Sequence, residues 1–591
     1  MNKGELQGSF ILEDPKIKAQ FRNKKILEYL FKFKWLLIIS VVFTLSATLI
    51  ELIGPIILGK ILDGQLAEGI GAPDKNRFYL MVFAYFASIA VGAIISYFGY
   101  ILFSKLSNAL TTDIRKDTFR HVVSLPVQFF DKYAIGKIVN RITSDTKDIR
   151  MLFQLLFSQI LVIIIRTFGL LLTLFIIDWR LGLISIIATP VLYIAFMDFF
   201  NKSLRYQGNL KKYRSEMNAN LAENIQNMEV IQAFNKEKEI YDEFSNINEK
   251  WNREGWKMAT LWGYSSNNFT GTLVNIIIAI VIIVFGRYFL NGIELFSIGT
   301  LYVFIDYNAK LYNNINALMN QAGQLQSAKS AADQIFELQR VEPFEEGKRK
   351  IENMKGNIKF DHVNFAYKDD EYVIHDLSLD IPKGTSAAFV GHTGSGKSTI
   401  MNLIYKFYNI NEGEITIDGI DIHELDMVSV RSEMAIVFQN PYIFQGTIYE
   451  NIALFDPKIS KNDAELALIL VGGENILQRE GGIDSLVGES GSGFSAGEKQ
   501  IISFARAMVR DPKILVLDEA TANVDTETEN LIQFGLDRLK KGRTTLLIAH
   551  RLSTIKDSDR IYLLEKGRLI EEGTHDELME MNGKYASMYR N

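Results

Sequence analysis

Gly391-His392-Thr393-Gly394-Ser395-Gly396-Lys397-Ser398-Thr399 is the stretch whose reading decides the fold. It fits the pattern glycine, four residues, Gly-Lys-Ser/Thr, in which a glycine-rich turn closes round a phosphate chain. Ser386 to Val390 reads as a short buried strand before it, and Ile400 to Tyr405 begins a helix after it. Glycines let the backbone point several N–H groups and a helix N-terminus at one negative charge. Lys397 is placed to pair with β/γ phosphates, and the Ser398 hydroxyl to ligate magnesium.

Working outward, Ile514-Leu515-Val516-Leu517-Asp518-Glu519 is an apolar strand ending in two carboxylates. Asp518 suits a magnesium ligand, direct or through water, opposite Ser398. Glu519 then falls beside the γ-phosphate, where it can polarise an attacking water. Other short strands, such as Ile358–Phe365 and Glu414–Ile417, mark the second half as an α/β domain.

The first half is of a different kind. Apolar runs near 36–58, 78–103, 152–177, 180–200, 262–288 and 296–320 each reach the ~20 residues that a hydrocarbon core requires. Lys and Arg crowd the N-terminal segment and the stretches 104–150 and 201–257, which the positive-inside rule assigns to the cytoplasm. Six spans also return the chain to the side where ATP is available. The long cytoplasmic stretches keep helical spacing, so they read as extensions of the membrane helices, with turns near Pro126–Gly136 and Val230–Lys236. Aromatic residues at their tips, Phe129 to Tyr133 and Val230 to Phe234, suit docking onto a cytoplasmic domain. Residues 24–35 mix basic and apolar side chains, which fits an interfacial helix or the basic flank of the first span. Within the spans Glu51, Arg166, Asn267, Asn268, Asp306 and Lys310 are polar or charged; Glu51 and Arg166 are candidates for a substrate path, while Asp306 and Lys310, four apart, read as a structural ion pair.

Composition narrows the classes. The 591 residues exceed one domain, and a net charge of −5 with no strongly basic tail gives no sign of nucleic-acid binding. With no cysteine, disulfides and thiolate metal sites are excluded. The polar N-terminus through Lys25 does not read as a secretory signal, and no peptidase domain is expected before the first span.

Further motifs, in order, make the chain resemble an ATP-binding cassette (ABC) exporter half-transporter from about Lys24 onward. Tyr367, in Phe365-Ala366-Tyr367, matches the aromatic residue that stacks on adenine. Gln439, in Val437-Phe438-Gln439-Asn440-Pro441, matches the glutamine that touches magnesium. Leu486-Val487-Gly488-Glu489 matches the segment before the signature, here Phe494-Ser495-Ala496-Gly497-Glu498. Thr521 to Asp525 matches a dimer-contact loop, and His550 matches the switch histidine. The resemblance implies an all-α polytopic membrane domain of six transmembrane helices, type IV exporter-like, followed by an α/β P-loop nucleotide-binding domain. The expected domains are an N-terminal segment (1–35), the membrane domain (36–320), a linker (321–356) and the nucleotide-binding domain (357–591). It also implies ATP and Mg2+ as cofactors, a cytoplasmic-membrane location, and two cassettes head to tail. In that arrangement Ser495, Ala496, Gly497 and Glu498 face the ATP held by a second half-transporter.

One part departs from the family pattern, Leu-Ser-Gly-Gly-Gln. Ala496 stands for a glycine and Glu498 for the glutamine. An added methyl group and a negative charge facing the γ-phosphate are expected to weaken the grip, by ~1 kcal/mol if the charge is partly screened. With Lys397, Asp518 and Glu519 intact, the combination resembles one subunit of a heterodimeric exporter with unequal ATP sites. The expected function is ATP-driven export of amphipathic or hydrophobic drugs, lipids or peptides. A homodimeric exporter and a non-transporting, ATP-gated regulator or channel are the alternatives, whereas the spans exclude a soluble ATPase of this family that acts on DNA or ribosomes.

Overall fold

The computed structural model describes residues 15–66, 75–264, 270–293, 296–344, 347–368, 371–518, 526–548 and 555–590. They fall into two compact units: Met1–Leu125 with Tyr133–Glu342, and Pro126–Lys132 with Pro343–Asn591.

Among the described residues the regular structure of the first unit is all helix, which suits a chain in hydrocarbon because a helix satisfies its own backbone polar groups. It begins with α1 (Pro15–Lys32), α2 (Lys34–Lys60) and α3 (Lys75–Val123), the last 49 residues long. Beyond α4 (Val127–Lys132), which belongs to the second unit, come α5 (Ile135–Asn140), α6 (Thr146–Gln154) and α7 (Leu161–Ile177). Wider, π-type turns at Arg141–Asp145 and Leu155–Ile160 join these three into one helical run. Asp178 caps the next helix, α8 (Trp179–Gln226), by accepting from the Arg180 N–H at 2.8 Å. Then follow α9 (Met228–Ala233), α10 (Glu237–Tyr264), α11 (Thr270–Leu290) and α12 (Ile298–Leu338). The turns expected near Pro126–Gly136 and Val230–Lys236 are the places where α4 and α9 break the long helices.

Among the described residues, five helical runs are long and apolar enough to cross a membrane: Lys34–Gly64, Lys75–Val123, Ile135–Ile177, Trp179–Gln226 and Gly271–Leu290. The expected span at 262–288 includes residues 265–269, outside the described residues, and with them Asn267 and Asn268. The sixth expected span, 296–320, falls on α12, where Asp306, Asn308, Lys310, Asn313 and Asn314 dilute the apolar run. α12 also continues to Leu338, through the first half of the stretch read as linker. Burial explains the continuation, because Ala328, Ala332, Ile335 and Phe336 pack with Phe103, Leu106, Leu110, Ile149 and Phe153 in one apolar cluster. Tyr29 of α1 joins that cluster and donates to Asp117 at 3.1 Å, while Arg22 pairs with Asp333 at 2.8 Å. The N-terminal helix therefore starts earlier than residues 24–35 suggested, ends at Lys32 and is pinned to its own unit, with Phe31 exposed.

The second unit has two main sheets. In chain order its strands are β1 (Ile358–Ala366), β2 (Tyr372–Ile381), β3 (Ser386–Val390), β4 (Glu412–Ile417), β5 (Ile420–Asp421) and β6 (Met434–Val437). They continue as β7 (Gly446–Thr447), β8 (Leu486–Val487), β9 (Ile514–Asp518), β10 (Thr544–Ile548), β11 (Arg560–Glu565) and β12 (Arg568–Gly573). One sheet is antiparallel, in the order β2-β1-β4-β5, and the other runs β12-β11-β3-β10-β9-β6. From β11 to β6 the second sheet is parallel, and its central strands are buried apolar runs, as a sheet covered on both faces demands. The helix α13 (Lys397–Ile404) follows β3, and α14 (Met427–Ser432), α15 (Ile448–Ala453), α16 (Lys461–Leu470), α17 (Glu474–Leu477) and α18 (Ala496–Met508) come later. The parallel order β3-β10-β9-β6 sets the C-terminal ends of four strands side by side, which is where ligands bind in open α/β sheets.

Candidate nucleotide site

The loop from β3 to α13 has a conformation that only glycine adopts easily. Gly391, Gly394 and Gly396 all have positive φ, at 150°, 84° and 102°. A Cβ on Gly391 would lie 2.2 Å from the Leu564 carbonyl oxygen, so the backbone packs against β11 with no room for a side chain. Within this loop the Lys397 ammonium is nearly buried and donates to the carbonyls of Gly391 at 2.6 Å and His392 at 3.0 Å. Burial pushes the Lys397 amine below its ordinary range, and the negative Asp518 pulls it back up. Ser395 Oγ is buried without a hydrogen-bond partner, whereas His392, Thr393, Gly394 and Ser398 are exposed on the rim. A glycine cradle, a lysine held on backbone carbonyls, and open hydroxyls and N–H groups at a helix start fit a phosphate chain.

Asp518 ends β9, between the ends of β10 and β6, with Ile548 of β10 as its neighbour in register. Gln439 is exposed two residues past the end of β6, on the adjacent strand. Thr399 is buried, and its Oγ1 accepts from the Tyr367 hydroxyl at 3.2 Å. Asn402 donates to that same hydroxyl at 3.2 Å. The structure thus ties Tyr367 to the first turns of α13, the phosphate-loop helix. Glu519, His550 and the stretch Thr521–Asp525 lie outside the described residues.

The tip at Phe129 to Tyr133, expected to dock on a cytoplasmic domain, meets this region through α4, at a residue that the sequence did not point to. The Tyr367 ring packs edge-on against Tyr408, with centroids 5.0 Å apart, and the Tyr408 hydroxyl donates to Asp131 of α4. Burial, with the neighbouring Asp131 carboxylate, raises the Tyr408 hydroxyl pKa well above its ordinary range. Phe129 of α4 is buried in the same unit. The tip at α9 differs, since Val230 and Phe234 are exposed. Tyr408→Phe keeps the ring stack and removes one hydrogen bond to a carboxylate, an interaction of about 1.5 kcal/mol or more. Transport in vesicles is expected to fall severalfold while ATP affinity stays within about twofold. Equal losses in both would show simple misfolding instead of lost coupling.

The signature opens α18. Ser495 caps it by accepting from the Glu498 N–H at 3.2 Å, and Glu498 returns the contact by accepting from the Ser495 N–H at 2.7 Å. Ser495 and Ala496 are exposed and Gly497 is buried. The second Glu498 oxygen accepts from Arg479 at 2.7 Å, so the charge that looked isolated in the sequence is paired. Arg479 is the residue that sequence reading missed. The available signal was a glutamate in the first turn of a helix with no cation assigned to it.

In the membrane-spanning helices, Glu51 of α2 and Arg166 of α7 pair with each other at 2.8 Å and are each about one-third exposed. Asp306 and Lys310 pair at 2.9 Å along α12.

A phosphate-binding loop at the C-terminal ends of a parallel sheet, in a chain that also carries several membrane-length helices, defines a membrane-embedded, nucleotide-driven transporter. Known proteins agree. The family described as "ABC transporter transmembrane region" matches residues 37–314, and the family "ABC transporter" matches residues 374–522. A relative in Bacillus subtilis (strain 168), "Probable multidrug resistance ABC transporter ATP-binding/permease protein YheH", is 38% identical over 88% of this chain and 77% of its own. The "ATP-dependent lipid A-core flippase" of Sodalis glossinidius (strain morsitans) is 31% identical over 92% of this chain and 94% of its own. A solved "bacterial Atm1-family ABC exporter with ATP bound" superposes with a TM-score of 0.77, at 25% identity, over 95% of this chain and 98% of that one. The chain belongs to the ABC transporters. It is an exporter-type half-transporter of the membrane, with an ATP-binding domain whose ATPase activity is coupled to transport.

Proposed function

We propose that this chain is one half of a heterodimeric pump with unequal ATP sites, exporting amphipathic or hydrophobic molecules across the cytoplasmic membrane. The observation that carries the reading is the pairing, in one chain, of a complete phosphate-binding side with an altered signature. Lys397 and the backbone of Gly391–Gly396 hold the phosphates, and Tyr367 stacks on the adenine. Ser398, Asp518 and Gln439 hold Mg2+, directly or through water. Glu519 polarises the attacking water and His550 contacts the γ-phosphate.

In this reading six spans place the N-terminus and the ATPase domain in the cytoplasm. Relatives named for multidrug resistance and for lipid A-core flipping support a hydrophobic or amphipathic cargo. The Glu51–Arg166 pair, about one-third exposed, supports a path through the membrane that meets charge there. A homodimer is the second reading, and one observation favours it: Arg479 neutralises the glutamate that was expected to spoil the signature.

Co-expression tests the proposal. Purified alone, the chain is expected to show less than about a tenth of the ATPase rate it shows with a second, similar half-transporter, since each composite site needs two complementary faces. A stable dimer of this chain with full, drug-stimulated ATPase activity would sink the heterodimer.

A further inference from the structure

We infer that Arg479 is a positioning residue for ATP capture, holding Glu498 so that the altered signature presents no free negative charge to the nucleotide. The inference rests on the reading that this signature faces ATP bound by a second chain, whether that chain is different or a copy.

Three contacts carry it. Arg479 donates to Glu498 Oε1 at 2.7 Å and to the Gly493 carbonyl at 3.1 Å, and its guanidinium lies 4.1 Å from the centre of the Phe494 ring. One planar side chain therefore grips the signature at Gly493, Phe494 and Glu498, a geometry that lysine, as a point charge, does not reproduce. Both Glu498 oxygens are committed, one to Arg479 and one to the Ser495 N–H. Burial alone would raise the Glu498 pKa, but the Ser495 and Arg479 contacts outweigh it and lower it, so the group is an ion at neutral pH. An ion in the first turn of α18 suits the helix dipole, yet it would repel a phosphate brought to the same end. Arg479 resolves the conflict. It cancels the charge seen from outside and turns the carboxylate back onto its own chain. Ser495 and Ala496 remain exposed at this helix start.

A merely structural role for Arg479 makes a different prediction, and a charge cycle separates the two. The full chain, with the second half that completes it, is assayed for ATPase activity against ATP concentration as wild type, Arg479→Ala, Glu498→Gln and the double variant. Arg479→Ala is expected to raise KM for ATP about tenfold at low salt, with a smaller change in kcat and a smaller KM shift in 0.5 M salt. In the Glu498→Gln background, the same Arg479→Ala change is expected to alter KM by less than about twofold. If Arg479→Ala is equally harmful with Glu498→Gln, Arg479 merely braces the loop and the inference fails. It fails too if Arg479→Ala leaves KM unchanged. Dependence on a different companion chain is read separately, by expression alone, so failure of the heterodimer reading leaves this cycle intact.

Discussion

Lys397→Ala is expected to lower the affinity for ATP by more than about a hundredfold, because it removes a charge-assisted contact worth ~3 kcal/mol. The Lys397 ammonium is seated inside the loop on the Gly391 and His392 carbonyls, 6% exposed, where one fixed positive charge faces the turn that fits a phosphate chain. The two carbonyls it leaves are at the loop rim and can take water, so the domain is expected to melt within a few degrees of wild type. Binding of a fluorescent ATP analogue to the purified full chain, beside a thermal melt, checks both statements. An unchanged affinity would mean that the backbone N–H groups hold the phosphates without Lys397.

Glu519→Gln is expected to act on the other quantity, cutting kcat by at least ~100-fold while ATP remains bound, as loss of a general base does. The swap keeps size and hydrogen-bonding capacity but removes the negative charge proposed above to polarise water. Asp518, immediately before it, ends β9 beside β10, and Lys397 feels its charge. The strand therefore delivers its carboxyl end to the phosphate loop. Measured together, ATP binding and turnover distinguish the two variants: Lys397→Ala loses both, and Glu519→Gln loses turnover alone. Full turnover by Glu519→Gln would assign the water to another residue.

What was legible in the sequence is what local backbone chemistry dictates. Only glycine tolerates the φ values at 391, 394 and 396, so the loop announces itself without tertiary information. Ser495 with Glu498 three residues on is likewise a local helix start, and apolar runs the width of a membrane need no partner to be recognised. What was hidden depends on contacts between distant residues. Arg479 and Glu498 are 19 apart, and Asp131 and Tyr408 are 277 apart, so no periodicity links them. The polar residues of 321–338 suggested a linker because their composition conceals Ala328, Ala332, Ile335 and Phe336, which α12 buries. Glu51 and Arg166 were each singled out as costly in lipid, and the structure adds that they neutralise one another.

The uninterrupted length of α3 has a mechanical consequence. At 49 residues and 1.5 Å per residue, the rod is roughly 70 Å from end to end. With no proline along it and no break from Lys75 to Val123, the helix lacks the usual causes of a sharp kink. A tilt of only about 5° about one end carries the other end through ~6 Å, more than one helical turn. A small tilt of the membrane end of α3 would thus be magnified at Val123, three residues before Pro126, into a shift of about one helical turn.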